Sequence, residues 1–247
     1  SQFWDDFEEK VINSFNKYML PVIVMKKSNP KEAVCQVFEK VNTGGVPLNV
    51  FELLTATYAS ESFDLKDDWT KIASDFRKNR ILSGVSNTDF IQAITLLTTF
   101  EKRNAAIAAG TPVAQAPAVS CKRKDVLNLP FESYKKYRNQ VIDGFKCSAK
   151  LLLENHIYSS RDLPYHTQLV PMSTILGYLG EEMESLGNKK KVMQWYWCGV
   201  FGELYGAANE TRYALDLPQV VEWVRGSNNE PKTIYDANFS PSRLHTL

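Results

Sequence analysis

Asn42-Thr43-Gly44-Gly45 is the stretch whose residue types best suit chemistry. Paired glycines take positive φ at little cost. Consecutive N–H groups beside a helix start form a concavity that binds anions, phosphate above all. The same four residues also serve as a plain turn between two helices, so both uses stay open. No Gly-Lys-Ser/Thr follows, which excludes a P-loop. Lys122-Arg123-Lys124 and Arg77-Lys78-Asn79-Arg80 are basic runs that can meet DNA phosphates or lie solvated on the surface. Arg212 and Asp216 stand at i and i+4, the spacing of a structural ion pair on a helix.

The remaining reactive side chains point to less. His156 and His166 flank a Ser-Ser-Arg-Asp-Leu-Pro loop, and Asn155-His156 invites comparison with a His-Asn-His nuclease. That fold needs strands and a metal-binding helix around its histidines, and this region reads as helix and loop. These two and His245 are therefore read as inert. Cys35, Cys121, Cys147 and Cys198 form no CxxC pair, which argues against zinc and for reduced thiols in a cytosol. Cys35 and Cys147 fall within helical patterns and read as buried or inert.

The elements that position the glycine turn are two helices. Val34, Val37, Phe38 and Val41 give one apolar face at 3.6-residue period, closed by Asn42. The next helix opens on Asn49 as N-cap, with Glu52 completing a capping box and Leu48 stapling onto Leu53. Upstream, Phe3, Trp4, Phe7, Val11 and Phe15 predict a helix ending near Tyr18. Leu20 to Met25, entered through Pro21, predicts a single edge strand.

From Val50 the reading is helical. Trp69 to Phe76 makes a short helix, and Ser86 with Asp89 opens a broad-faced, central one through Phe100. Asn104 to Ser120 lacks periodic hydrophobics and reads as a flexible surface loop. A long helix over about Pro130 to Asn155 carries Gly144, which marks either close helix packing or a bend. Another runs from Met172 to Leu186 with Gly187 as its stop, and Asn188 caps a helix reaching Leu204. Trp195, Tyr196 and Trp197 in succession cannot all face inward, so one is exposed or lies at an interdomain seam. The end, Gly226 to Leu247, reads as extended.

The run Phe38-Glu39-Lys40-Val41-Asn42-Thr43-Gly44-Gly45, followed by Leu48 and Phe51-Glu52-Leu53-Leu54, resembles the GmrSD-type restriction endonuclease family. A softer likeness lies in Tyr205-Gly206-Ala207-Ala208-Asn209-Glu210-Thr211-Arg212 with Leu215-Asp216-Leu217. A third lies in the Cys-Lys-Arg-Lys run at 121–124 with Leu127 and Leu129. The resemblance implies a ParB/sulfiredoxin-like nuclease-fold amino-terminal domain, in a prokaryotic defence protein that uses a nucleoside triphosphate and a divalent metal and acts on modified DNA. It places Asn42, Thr43, Gly44 and Gly45 in an active-site cleft. The family's Asp-Gly-Gln-Gln-Arg stretch is absent here and is expected upstream of Ser1.

The chain has 247 residues, 44% hydrophobic and 23% charged, with a net charge of +1 that gives no global case for nucleic-acid binding. No run is long enough to span a membrane, so a cytoplasmic protein without membrane contact is expected. The expected fold is mainly α, a helical bundle over 60–247 behind an α/β remnant with one strand in a nuclease-fold tail over 1–59. No residue is assigned a catalytic or metal-ligating role. Around the glycine turn only Asn42, Thr43 and Glu52 are at hand, so this stretch of chain is expected to be inactive as a nuclease by itself. The expected function is part of a restriction protein. The alternative is a non-catalytic module that binds DNA, a partner subunit or its own copy.

Overall fold

The computed structural model describes residues 2–19, 22, 37, 49–206 and 209–238. The chain divides into two units, 1–41 and 42–247. Apart from Val37, which is helical, the expected helix before the glycine turn lies outside the described residues, as do the turn 42–45, Cys35, His245 and all of the expected strand except Val22, and Val22 itself is not in a strand.

In the first unit, α1 (Gln2–Phe7) passes through a π-helical stretch (Glu8–Ile12) into α2 (Asn13–Asn16). Phe3, Trp4 and Phe7 contact one another ring to ring, and none of these helical residues is buried.

The second unit is a helical bundle, and no strand occurs among the described residues. It begins with α3 (Val50–Ala59), α4 (Leu65–Phe76), α5 (Asn87–Ala108) and α6 (Arg123–Leu127). It continues through α7 (Phe131–Glu154), α8 (Leu169–Leu179), α9 (Leu186–Phe201), α10 (Asn209–Val224) and α11 (Lys232–Asp236). Helix starts follow the capping chemistry. Asn49 Oδ1 accepts from the Glu52 N–H at 3.0 Å, and Glu52 Oε2 accepts from the Asn49 N–H at 2.7 Å. Ser86 and Asp89 form the same reciprocal pair. Each such cap satisfies donors that a helix start would otherwise leave unpaired.

α3 falls in the second unit rather than in an amino-terminal domain ending at 59. Its Tyr58 is buried and donates to the Leu129 carbonyl at 3.0 Å, inside an aromatic cluster with Phe63, Phe131 and Tyr134. The apolar face of the helix therefore belongs to the bundle core.

α5, α7 and α8 build that core. α8 is buried along nearly its whole length, from Leu169 to Leu176, as expected of a helix apolar on every side. Where α7 crosses it, Gly144 and Gly177 bring the two backbones together. A Cβ on Gly144 would lie 2.0 Å from the Ser173 carbonyl oxygen, and one on Gly177 would lie 2.6 Å from that of Gln140. Gly144 thus serves close packing. A second tie joins α4 to α7: Asp68 receives Arg138 Nε and Nη2 at 2.7 Å each, together with the Tyr134 hydroxyl.

Three readings of element ends need correction. α5 runs on to Ala108, and the loop after it is pinned rather than loose. The Arg103 guanidinium donates to the carbonyls of Val113, Ala116 and Pro117, and Thr99 donates to that of Ser120. α8 stops at Gly180, whose φ of +51° is open to glycine, whereas Gly187 and Asn188 lie inside α9. Asn188 donates to the Glu182 carbonyl instead of capping. The tail, read as extended, holds the short helix α11.

Candidate functional site

Of the residues proposed for phosphate, the turn Asn42–Gly45 lies outside the described residues, while the capped start of α3 that follows it is formed. Lys122, Arg123 and Lys124 are exposed and open α6, with Lys122 at the N-cap position in extended geometry. The turn is built on Ser120, whose hydroxyl donates to Asp125 at 2.6 Å and accepts from the Lys122 N–H at 3.3 Å. Behind the triplet, α5, α6 and the start of α7 enclose a groove of about 530 Å³. Thr98 and Lys102 line it from α5, Asp125 and Asn128 from the α6 region, and Ser133 and Lys136 from α7. Its apolar floor includes Leu129, Pro130 and Tyr137.

The expected ion pair of Arg212 with Asp216 does not form. Arg212 bridges Asp236 of α11 at 3.0 Å and donates to the Thr233 hydroxyl at 3.3 Å. Asp216 points inward and is fully buried, accepting the hydroxyl of Tyr205 on one oxygen and that of Thr233 on the other. The two residues part company because Asp216 faces the interior while Arg212 sits at its edge, within reach of α11. Burial raises the Asp216 carboxyl above its ordinary range, opposed by the Thr233 and Tyr205 hydroxyls and by Arg212 nearby. Burial, and then the charge of Asp216, push the Tyr205 hydroxyl well above its usual value. Around the α9–α10 turn, Gly199 has no room for a Cβ, since Gln168 Nε2 and the Tyr205 ring lie within 2.6 and 2.8 Å of its place.

Tyr205 and Asp216 lie eleven residues apart, and nothing in their spacing announces a hydrogen bond. Thr233, in a polar tail, carries no sequence signal at all. The Arg77–Arg80 run is an exposed helix end, where Lys78 bridges Asp75 and Asn79 Oδ1 accepts from the Ile81 N–H. His156 sits at φ +66° after α7 with its ring against the Tyr158 hydroxyl, and His166 Nε2 abuts Gly84. Cys121 is buried, Cys147 is exposed rather than buried, and both are free thiols. Trp195 and Tyr196 are buried, leaving Trp197 half-buried and stacked on Phe201. Among the described residues, no three or more His, Cys, Asp or Glu are grouped to hold a metal ion, and no helix is long and apolar enough to cross a membrane.

The chain is 24% identical over 250 aligned positions to the uncharacterized protein MJ0686 of Methanocaldococcus jannaschii. The match takes in 94% of this chain but only 38% of that protein's length. No family model matches, and no solved structure does.

Proposed function

We propose that this chain is part of a nucleotide-dependent restriction protein acting on modified DNA in anti-phage defence. The Asn42–Gly45 turn contributes to the active-site cleft, and the bundle senses or couples. What carries the reading is the resemblance at 38–54 and 204–217. The second segment has a structural reason for its pattern: Tyr205 and Asp216, eleven residues apart, are hydrogen-bonded in the core. Such a buried pair is costly to lose, so a pattern keeping both residues together describes one folded unit. The test uses the longer protein with Asn42→Ala and Gly44→Ala. Nucleotide turnover and restriction of modified DNA are both expected to collapse, and their survival intact would sink the assignment.

A second reading, a module without chemistry that holds DNA or a partner subunit, is favoured by the Trp197–Phe201 stack and by the exposed triplet at 122–124. Phe201 is 41% exposed. Light scattering, together with titration of the chain with modified and plain DNA, separates the readings. A strict monomer without DNA affinity at low salt ends the second.

A further inference from the structure

We propose that the groove between α5, α6 and the start of α7 is a nucleotide phosphate site, with Lys102 and Lys136 as the phosphate partners. It draws on none of the residues Asn42–Gly45 and is independent of the restriction reading.

Volume is the first argument. At about 530 Å³ the groove falls within the range of about 300–1,000 Å³ that small-ligand sites occupy.

The second argument is the state of its lysines. Lys71, Lys78, Lys135, Lys146, Lys189 and Lys232 each bridge a carboxylate. Lys102 and Lys136 bridge none among the described residues, although Glu101, Asp125 and Glu132 line the same groove. Glu132 is taken by Lys135 at 2.7 Å, and Asp125 is held by the Ser120 hydroxyl at 2.6 Å. Lys136 instead lies over the Tyr137 ring, 4.8 Å from its centroid. Two ammonium groups thus face one groove without a direct ion pair among the described residues, the Glu101 carboxylate acting on Lys136 only from a distance, while Lys122 and Lys124, also unbridged among the described residues, belong to the basic triplet beside it. Ser133 adds a hydroxyl that makes no hydrogen bond to described residues and is free to donate to a phosphate oxygen.

Its remaining walls select against a bare anion. Glu101 and Asp125 repel an isolated phosphate, yet they are acceptors matched to the hydroxyl and amino donors of a sugar and base. Leu129, Pro130 and the Tyr137 ring offer apolar surface for the rest of the nucleoside. The combination of two cations, a hydroxyl donor, flanking acceptors and an apolar floor suits a nucleotide, free or within a strand, better than inorganic phosphate.

The experiment follows the fluorescence anisotropy of two probes with the whole chain at low salt: a fluorescent ATP analogue and a short labelled single-stranded oligodeoxynucleotide. Binding of the first alone assigns a free nucleotide, binding of the second alone assigns a strand, and either supports the site. The double variant Lys102→Gln/Lys136→Gln should weaken whichever probe binds by about tenfold or more. Lys190→Gln, at an exposed lysine on α9, should leave it unchanged, and thermal melts should show all three proteins equally folded. Absence of binding by both probes would overturn the proposal. So would an equal loss in Lys190→Gln, an undiminished double variant, or inorganic phosphate competing as strongly as ATP.

Discussion

Asp68 and Asp216 are each an aspartate that accepts a tyrosine hydroxyl, and they solve the problem of a desolvated carboxylate in opposite ways. Asp68 lies at the α4–α7 edge and is charge-compensated by a two-pronged Arg138 guanidinium, with side-chain exposures of 15% and 27%. Asp216 is fully buried and has neutral partners only, the hydroxyls of Tyr205 and Thr233, while Arg212 is committed to Asp236. The first pattern is an ion pair that water can still reach and repair. The second is a knot joining the α9–α10 turn, α10 and α11, buried away from water, with Arg212 reaching it only through the Thr233 hydroxyl. Local dielectric, rather than residue type, decides which arrangement is fragile.

The sharpest way to break this contrast is truncation. Asp216→Ala strands two buried hydroxyls and leaves a void, and it should cost about 3 kcal/mol. Asp68→Ala releases an arginine that water can resolvate, and about 1–2 kcal/mol is expected. Urea denaturation of both variants measures the difference, and equal losses would erase the distinction. A gentler cut removes one hydroxyl. Tyr205→Phe should cost about 1–2 kcal/mol, against about 1 kcal/mol or less for Tyr134→Phe, because Asp68 keeps Arg138.

The smallest effect is in pH. Because the folded-state pKa of Asp216 lies above its ordinary value of 3.8, the folded protein holds this proton more tightly than the unfolded chain does. Its ionisation therefore costs stability fully above the raised pKa, and that cost disappears as pH falls through the window down to the ordinary value. Measured by thermal melts, the melting temperature of wild type relative to Asp216→Asn should rise as pH is lowered from neutral into that window. Carboxylates held below their usual range, such as Glu182 beside Arg225 and Asp236 beside Lys232 and Arg212, act in the opposite sense. They are common to both proteins and cancel in the difference.

Local signals in the sequence were legible where physics is local. The Asn49–Glu52 and Ser86–Asp89 capping boxes, the span of α7 and the need for one of Trp195, Tyr196 and Trp197 to turn away from the core all depend on neighbours within a few residues. Long-range partners were not legible. Helical spacing pairs Arg212 with Asp216, but burial of Asp216 and the arrival of α11 reassign both. Arg103 looks like any surface arginine until three carbonyls of a folded-back loop meet it. Gly187 looks like a stop, yet the positive φ falls seven residues earlier, at Gly180. The groove could not be anticipated either, since its walls come from α5, α6 and α7 and no single segment contains it. Lys122–Lys124 were legible as basic, whereas Lys102 and Lys136 stood out only once their missing partners could be seen.

The Gly144–Gly177 crossing has a mechanical consequence. Where helices meet through side chains, rotamer changes let them slide and resettle; where they meet backbone to backbone, covalent geometry alone sets the gap. α7 and α8 are therefore clamped at one point like the blades of a riveted shear. A pull on one is transmitted to the other as displacement, with little lost to repacking on the way.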